Sequence, residues 1–238
     1  VNGKTATVVG TTATIYGADI TVPADASGVN IPVSVNLVCV NAAEGCAGSS
    51  NSTTTLDLTS LTYNNGEVVS SVTVSPSAVT PDHKLVASRP TLTMAQSSTG
   101  GFGNGTVKIG EFTVSADAAG DIEVKQVPVS VTTTATITAS SIELRDSSGS
   151  TVITGSNALS ASGNFVLSTA RKIAKGTSET YTVYASFTGV TGAAGTQSVT
   201  FGLGAKTSLL WNDVIGGAAN ITGGNLNTYP NTTQSKTN

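Results

Sequence analysis

The sequence predicts an all-β fold, arranged as two immunoglobulin-like β-sandwich domains in tandem. Three observations predict it. Apolar and polar residues alternate with period two in run after run, which gives each strand one buried and one wet face. No stretch carries a convincing period of 3.6 residues, so no amphipathic helix is expected. Turn chemistry also recurs at the short intervals of an all-β sandwich, giving about seven or eight strands over residues 91–210.

The alternation is clearest over residues 107–146. Val107 and Ile109 alternate, and Phe112, Val114 and Ala116 continue one position out of phase. Ile122 and Val124 do the same, and Val127, Val129 and Val131 again continue one position out of phase. A slip of one residue turns the apolar set to the other face. Each slip therefore calls for a β-bulge or for a strand that changes sheets.

Taken in order, residues 1–22 are rich in β-branched residues broken by Gly10 and Gly17, and read as one or two strands. Residues 31–40 read as a strong strand, with Ile31, Val33, Val35 and Leu37 on one face. Leu56, Leu58 and Leu61 begin a further strand. Asn64, Asn65 and Gly66 form a turn, and residues 68–74 alternate again. Asn-Gly between apolar runs is a strong hairpin signal. With residues 79–86, these complete a first domain at 1–87, near the size of an immunoglobulin-like unit. Ser88, Arg89 and Pro90 suit a short, stiff linker. The second domain is expected at 88–210. Tyr181, Val183, Ala185 and Phe187 alternate within it, as do Val199, Phe201 and Leu203. Residues 211–238 read as a tail rich in Gly, Asn and Thr. Such an end is ordered only where something ties it down, and Trp211 and Tyr229 are the side chains to tie it to a surface or to a neighbouring subunit in an assembly.

Charged residues are 11% of the 238-residue chain and the net charge is −3. Eleven Lys and Arg, with no cluster, cannot neutralise a row of phosphates, so nucleic acid is not an expected partner. No apolar run approaches the ~18 residues that span a bilayer as a helix. The surface must consist mostly of hydroxyls and amides, a composition suited to an extracellular protein. Little charge repulsion keeps copies apart, which favours self-association. The start at Val1, without a methionine or signal peptide, reads as a processed start. Cys39 and Cys46 enclose six residues including Gly45 and read as a disulfide closing a small loop.

No catalytic constellation is evident, and no enzyme is expected. His83 is the only histidine and no G-x-S-x-G elbow accompanies it. Glu111, Glu123, Glu143 and Glu179 lie on different strands and do not form the dyad of a glycosidase. No cofactor is expected. Asp117 and Asp121 are weak candidates for calcium, since the ion takes six to eight oxygens and the turn offers two carboxylates. Building the turn through side-chain to backbone bonds is the favoured role of both. Lys108, Lys125 and Lys172 are candidates in principle for isopeptide bonds to asparagine. Four sequons in loop-like segments make Asn51, Asn104, Asn220 and Asn231 glycosylation candidates. The β-rich run 4–14 is either the ordinary first strand of its domain or a strand donated to a neighbouring copy. Val8, Val9, Ala13 and Ile15 would be the buried anchors of that donation.

From Arg89 onward the sequence resembles modules of large secreted surface-layer and adhesin-like proteins of small-celled, uncultivated bacteria. The likeness covers residues 88–238. It rests on Phe112, Val114, Ala116, Asp117, Gly120, Asp121 and Ile122, which match an F-x-V-x-A-D-x-x-G-D-I hairpin. It rests also on Ile173, Gly176, Thr177, Ser178, Thr180, Tyr181, Val183 and Ala185, which match a later strand, and on Trp211 followed by Asn212 and Asp213. The resemblance implies an extracellular, cell-surface β-sandwich and implies no catalytic residues.

The expected function is structural: a subunit of a surface layer or pilus-like filament. Head-to-tail contacts that do not close make such open arrays. An adhesin or carbohydrate-binding stalk is the alternative, with glycans or a host surface as partner and Tyr16, Trp211 and Tyr229 as its aromatic platform. A virion tail or decoration protein is the third reading, because a β-sandwich alone does not choose among these roles.

Overall fold

In a computed structural model, the structure describes residues 1–9, 11–24, 29–35, 50–79, 83–94, 101–134, 136–155, 163–191, 195–226 and 228–238. The chain is all-β, with no α-helix among those residues. Cys39 and Cys46 lie outside them, so the expected disulfide does too.

Two units are distinguished, Val1–Val38 and Cys39–Asn238. In the first, the described residues form no strand, only an isolated antiparallel bridge between Val9 and Thr12. The strands expected over 1–22 and 31–40 are absent from the described part of those ranges. β-Branched residues favour an extended backbone, but a strand exists only where its amides and carbonyls find a partner.

The second unit opens with two small sheets. Strand β1 (Thr53–Thr54) pairs with β4 (His83–Lys84), and β2 (Asp57–Asn64) pairs with β3 (Val69–Val79). The β2–β3 pair is the expected hairpin. Asn64 Oδ1 accepts the Gly66 amide at 2.8 Å, Asn65 Oδ1 accepts that of Val68 at 2.9 Å, and Gly66 takes a φ of +94°. Leu58, Leu61, Tyr63, Val68 and Val72 on it are nevertheless exposed. No apolar side chain before Pro90 is buried among the described residues. Residues 1–87 thus form no sandwich core of their own there.

The core begins at Leu92 and lies between two larger sheets in a sandwich-like arrangement. One sheet holds β5 (Pro90–Met94), β6 (Gly105–Ala116), β11 (Ser178–Thr188), β8 (Thr138–Arg145) and β9 (Thr151–Gly155), in that spatial order. In the other, β7 (Ile122–Thr133) pairs with β10 (Gly163–Ile173), β12 (Ser198–Leu203) and β13 (Leu210–Asp213). Strand β14 (Ala218–Thr222) lies beyond β13, and β15 (Thr233–Thr237) beyond β12.

Both phase slips are bulges. Val183 of β11 faces Gly110 and the next residue, Tyr184, faces Lys108, so Ile109 is the extra residue. Ile109 and Phe112 are thereby both buried, three positions apart. On β7, adjacent Leu210 and Trp211 face Gln126 and Val124, which leaves Lys125 extra. Strand β10 breaks register at the same place. The segment 117–121 is not a hairpin turn, because β6 and β7 belong to different sheets. It carries the chain from one layer to the other.

Residues 211–238 are no loose tail. They supply most of β13 and all of β14 and β15, and Trp211, Ile221 and Leu226 join the core. Their Gly, Asn and Thr content conceals a few apolar anchors at sheet spacing, and buried anchors outweigh local composition. The expected boundary at 87/88 also differs from the observed division at 38/39. Residues 50–87 are tied into the second unit by Asp213 and Ser88, as described next.

Candidate functional site

The four expected anchors of the N-terminal strand lie in the first unit. Val8, Val9 and Ala13 are exposed, Val9 at 77%, and Ile15 is half-buried. Tyr16 beside them is 82% exposed. Their neighbours in sequence make few backbone bonds: Lys4 N donates to Val1 O, and Val9 and Thr12 bond each other. An apolar run with an unladdered backbone has the chemistry of a strand added to another sheet.

Trp211 lies elsewhere and is 1% exposed, so it offers no platform at a surface. It sits on β13 between Val124 of β7 and Ile221 of β14. Its Nε1 is buried and has no hydrogen-bond partner among the described residues. Tyr229 is half-buried against the same core with its hydroxyl equally unpartnered. Burial pushes that phenol up to about 12. An unsatisfied buried donor costs roughly 1–3 kcal/mol. A cleft of about 190 Å³ opens beside Trp211, lined also by Lys84, Val86, Arg89, Ile221 and Leu226.

Asp213 is the residue that the sequence reading passed over. It is 1% exposed, yet every contact is complementary. Oδ2 accepts the Ser50 hydroxyl and the Ala87 amide, both at 2.7 Å, and Oδ1 accepts the Gly216 amide at 3.0 Å. A Cβ at Gly216 would stand 2.2 Å from Oδ2, so only glycine lets that turn close on the carboxylate. The sole sequence signal was the Trp-Asn-Asp run, and nothing in it shows which carboxylate is buried.

Asp117 and Asp121 are committed to the crossing between layers. Asp117 Oδ1 accepts the Ala119 amide at 3.0 Å and Oδ2 the Arg89 amide at 3.2 Å. Asp121 Oδ1 accepts the Lys175 amide at 2.9 Å, and Oδ2 pairs with Lys172 at 2.8 Å. The Lys172 ammonium, followed by the Lys175 amide, holds the Asp121 carboxyl below its ordinary range. Buried Ser88 donates to Gly120 O at 2.6 Å, fastening the 87–90 segment to the same crossing. No group of three metal-ligating side chains occurs among the described residues.

The remaining acids have separate partners. Glu111 pairs with Lys108, Glu143 with Arg145, and Glu123 accepts from Asn212. Arg171 spans Asp146 and Glu179 at 2.9 Å each, and Glu179 also accepts the Tyr181 hydroxyl at 2.8 Å. Burial, then Glu179, raises the Tyr181 phenol far above its ordinary value. His83 is exposed on β4. Lys125 Nζ donates to Asn220 Oδ1 at 3.1 Å, but the pair is exposed, whereas isopeptide chemistry needs it dry. Asn51, Asn104, Asn220 and Asn231 are all exposed. The Asn104 amide is engaged on both sides by the Val190 backbone, whereas no such clasp holds Asn231.

No protein-family model matches the chain, and no curated protein is significantly similar to it.

Proposed function

We propose that this chain is a structural subunit of an extracellular cell-surface assembly, a surface layer or pilus-like filament, joined head to tail by β contacts. The observation that carries the reading is the distribution of apolar side chains. Val8, Val9, Tyr16, Val22, Ile31, Val33 and Val35 are exposed in one continuous part of the chain, while the buried apolar residues begin at Pro90. Exposed apolar sets of this extent mark interaction surfaces. In this reading residues 1–87 are an immunoglobulin-like unit completed only in the assembly, in tandem with the sandwich that follows. Residues 4–14 add a strand to a neighbouring copy, with Val8, Val9, Ala13 and Ile15 buried there. Repetition without closure gives an open array.

The test is electron microscopy of the full chain, of the chain lacking residues 1–14, and of a Val8→Asp, Val9→Asp double variant. Arrays that vanish in both altered chains support strand donation. Arrays that persist in both place the joint elsewhere and overturn the donor role of 4–14. Particles of the full chain that stay monodisperse at every concentration overturn the polymer.

A further inference from the structure

We propose that the cleft beside Trp211 is a binding site for a small monocarboxylate with a short apolar stem. It is independent of any assembly role. The buried side is made by Trp211, Ile221 and Leu226, and Val86 adds further apolar surface. Two cations line it, Lys84 and Arg89, and no acidic residue does. Its ionic groups therefore donate and cannot accept, while the hydroxyls of Thr91, Thr222 and Thr228 in the lining can do either.

Each donor has spare capacity. Lys84 Nζ donates to Thr53 Oγ1 at 2.8 Å and Asn51 O at 3.2 Å, which leaves one of its three hydrogens. Arg89 is anchored by its backbone amide on Asp117 at 3.2 Å, and its guanidinium has no partner among the described residues. A fixed backbone carrying an unpaired planar fork suits a carboxylate, which accepts from several donors at once. Neutral amides bring donors of their own and leave the cations unmatched.

Size narrows the class. A volume of about 190 Å³ lies below that of drug-sized sites and holds about six water-sized atoms. A four-carbon acid fits, as does the carboxyl-terminal residue of a peptide.

The chain has one tryptophan, so its fluorescence reports the site directly. The full chain is titrated at constant ionic strength with butyrate, with butyramide, and with an acetylated tripeptide ending in valine as free acid or amide. A saturable change with butyrate but not butyramide is expected. A tighter response to the free-acid peptide than to butyrate, absent from its amide, assigns the site to chain termini. The reverse order assigns it to free acids. Arg89→Gln, at an exposed side chain, should weaken binding roughly tenfold while leaving the melting temperature unchanged. The proposal is overturned if neither acid perturbs Trp211, if butyramide acts as butyrate does, or if Arg89→Gln binds like the parent chain.

Discussion

The carboxylate of Asp213 accepts the hydroxyl of Ser50 at 2.7 Å, across 163 residues of sequence. The same oxygen takes the Ala87 amide, so one buried charge holds two points of the 50–87 segment against β13. Its charge is balanced by three donors and by no cation among the described residues. Hydrogen bonds to a charged group are stronger than neutral ones, and stranding their donors adds to the loss. Asp213→Ala should therefore destabilise the second unit by about 3 kcal/mol, and Ser50→Ala by about 1 kcal/mol. Urea unfolding of both single variants and the double variant checks this. Because both changes remove one contact, the double variant should lose less than the sum.

Gly110 shows how tightly the two layers meet. A Cβ there would stand 2.0 Å from Phe201 Cδ1 and 2.7 Å from Gln234 Oε1. Phe201 is fully buried and has nowhere to move. Gln234 is held by Glu111, accepting its amide at 2.7 Å and donating to its carbonyl at 3.0 Å. Gly110→Ala should cost about 3 kcal/mol through overpacking. Gly103→Ala, where a Cβ meets nothing within 4 Å, should change stability by no more than about 0.5 kcal/mol. Thermal unfolding of the two variants separates them.

Tyr229 contributes to the alkaline side. Its phenol ionises near 10.0 when unfolded and is pushed up to about 12 by burial. Between those values the unfolded chain has released a proton that the folded chain keeps. Stability is therefore full below the lower value and falls as pH rises to the higher one. Tyr229→Phe should reduce that slope and leave the part due to the buried Tyr181 phenol, which is also raised. It also removes an unpartnered hydroxyl, and at neutral pH should stabilise by about 1 kcal/mol. Denaturation midpoints across the window, with ultraviolet titration of the phenol, test both expectations.

Asp121 acts on the acid side. Its carboxyl is held below its ordinary 3.8, first by the Lys172 ammonium and then by the Lys175 amide. The unfolded chain takes up the proton first. The stabilisation is present above 3.8 and is lost as pH falls through the folded value. Asp121→Asn should reduce the acid dependence across that window, leaving the part due to Asp146, and should also remove the raising effect of Asp121 on the Lys172 ammonium. Raised salt should weaken the parent chain's acid dependence, since Lys172 is an exposed partner.

The sequence by itself determined the all-β class, the β2–β3 hairpin with its Asn-Gly turn, and the two phase slips at Ile109 and Lys125. Each of these is written in local periodicity or turn chemistry, which neighbouring residues carry unaided. Only the tertiary structure decided that 117–121 joins two sheets, because pairing partners are chosen by distant strands. It alone drew Trp211, Ile221 and Leu226 into the core, since a few anchors at sheet spacing outweigh a polar composition once a sheet edge receives them. It alone left residues 1–87 without a buried core in their described part, although their alternation rivals that of β6. Alternation states which face seeks burial; whether a second surface exists to cover it is a property of the folded molecule. The Asp213 knot follows the same logic. A lone aspartate reads as a surface charge until Ser50, Ala87 and Gly216 are brought around it.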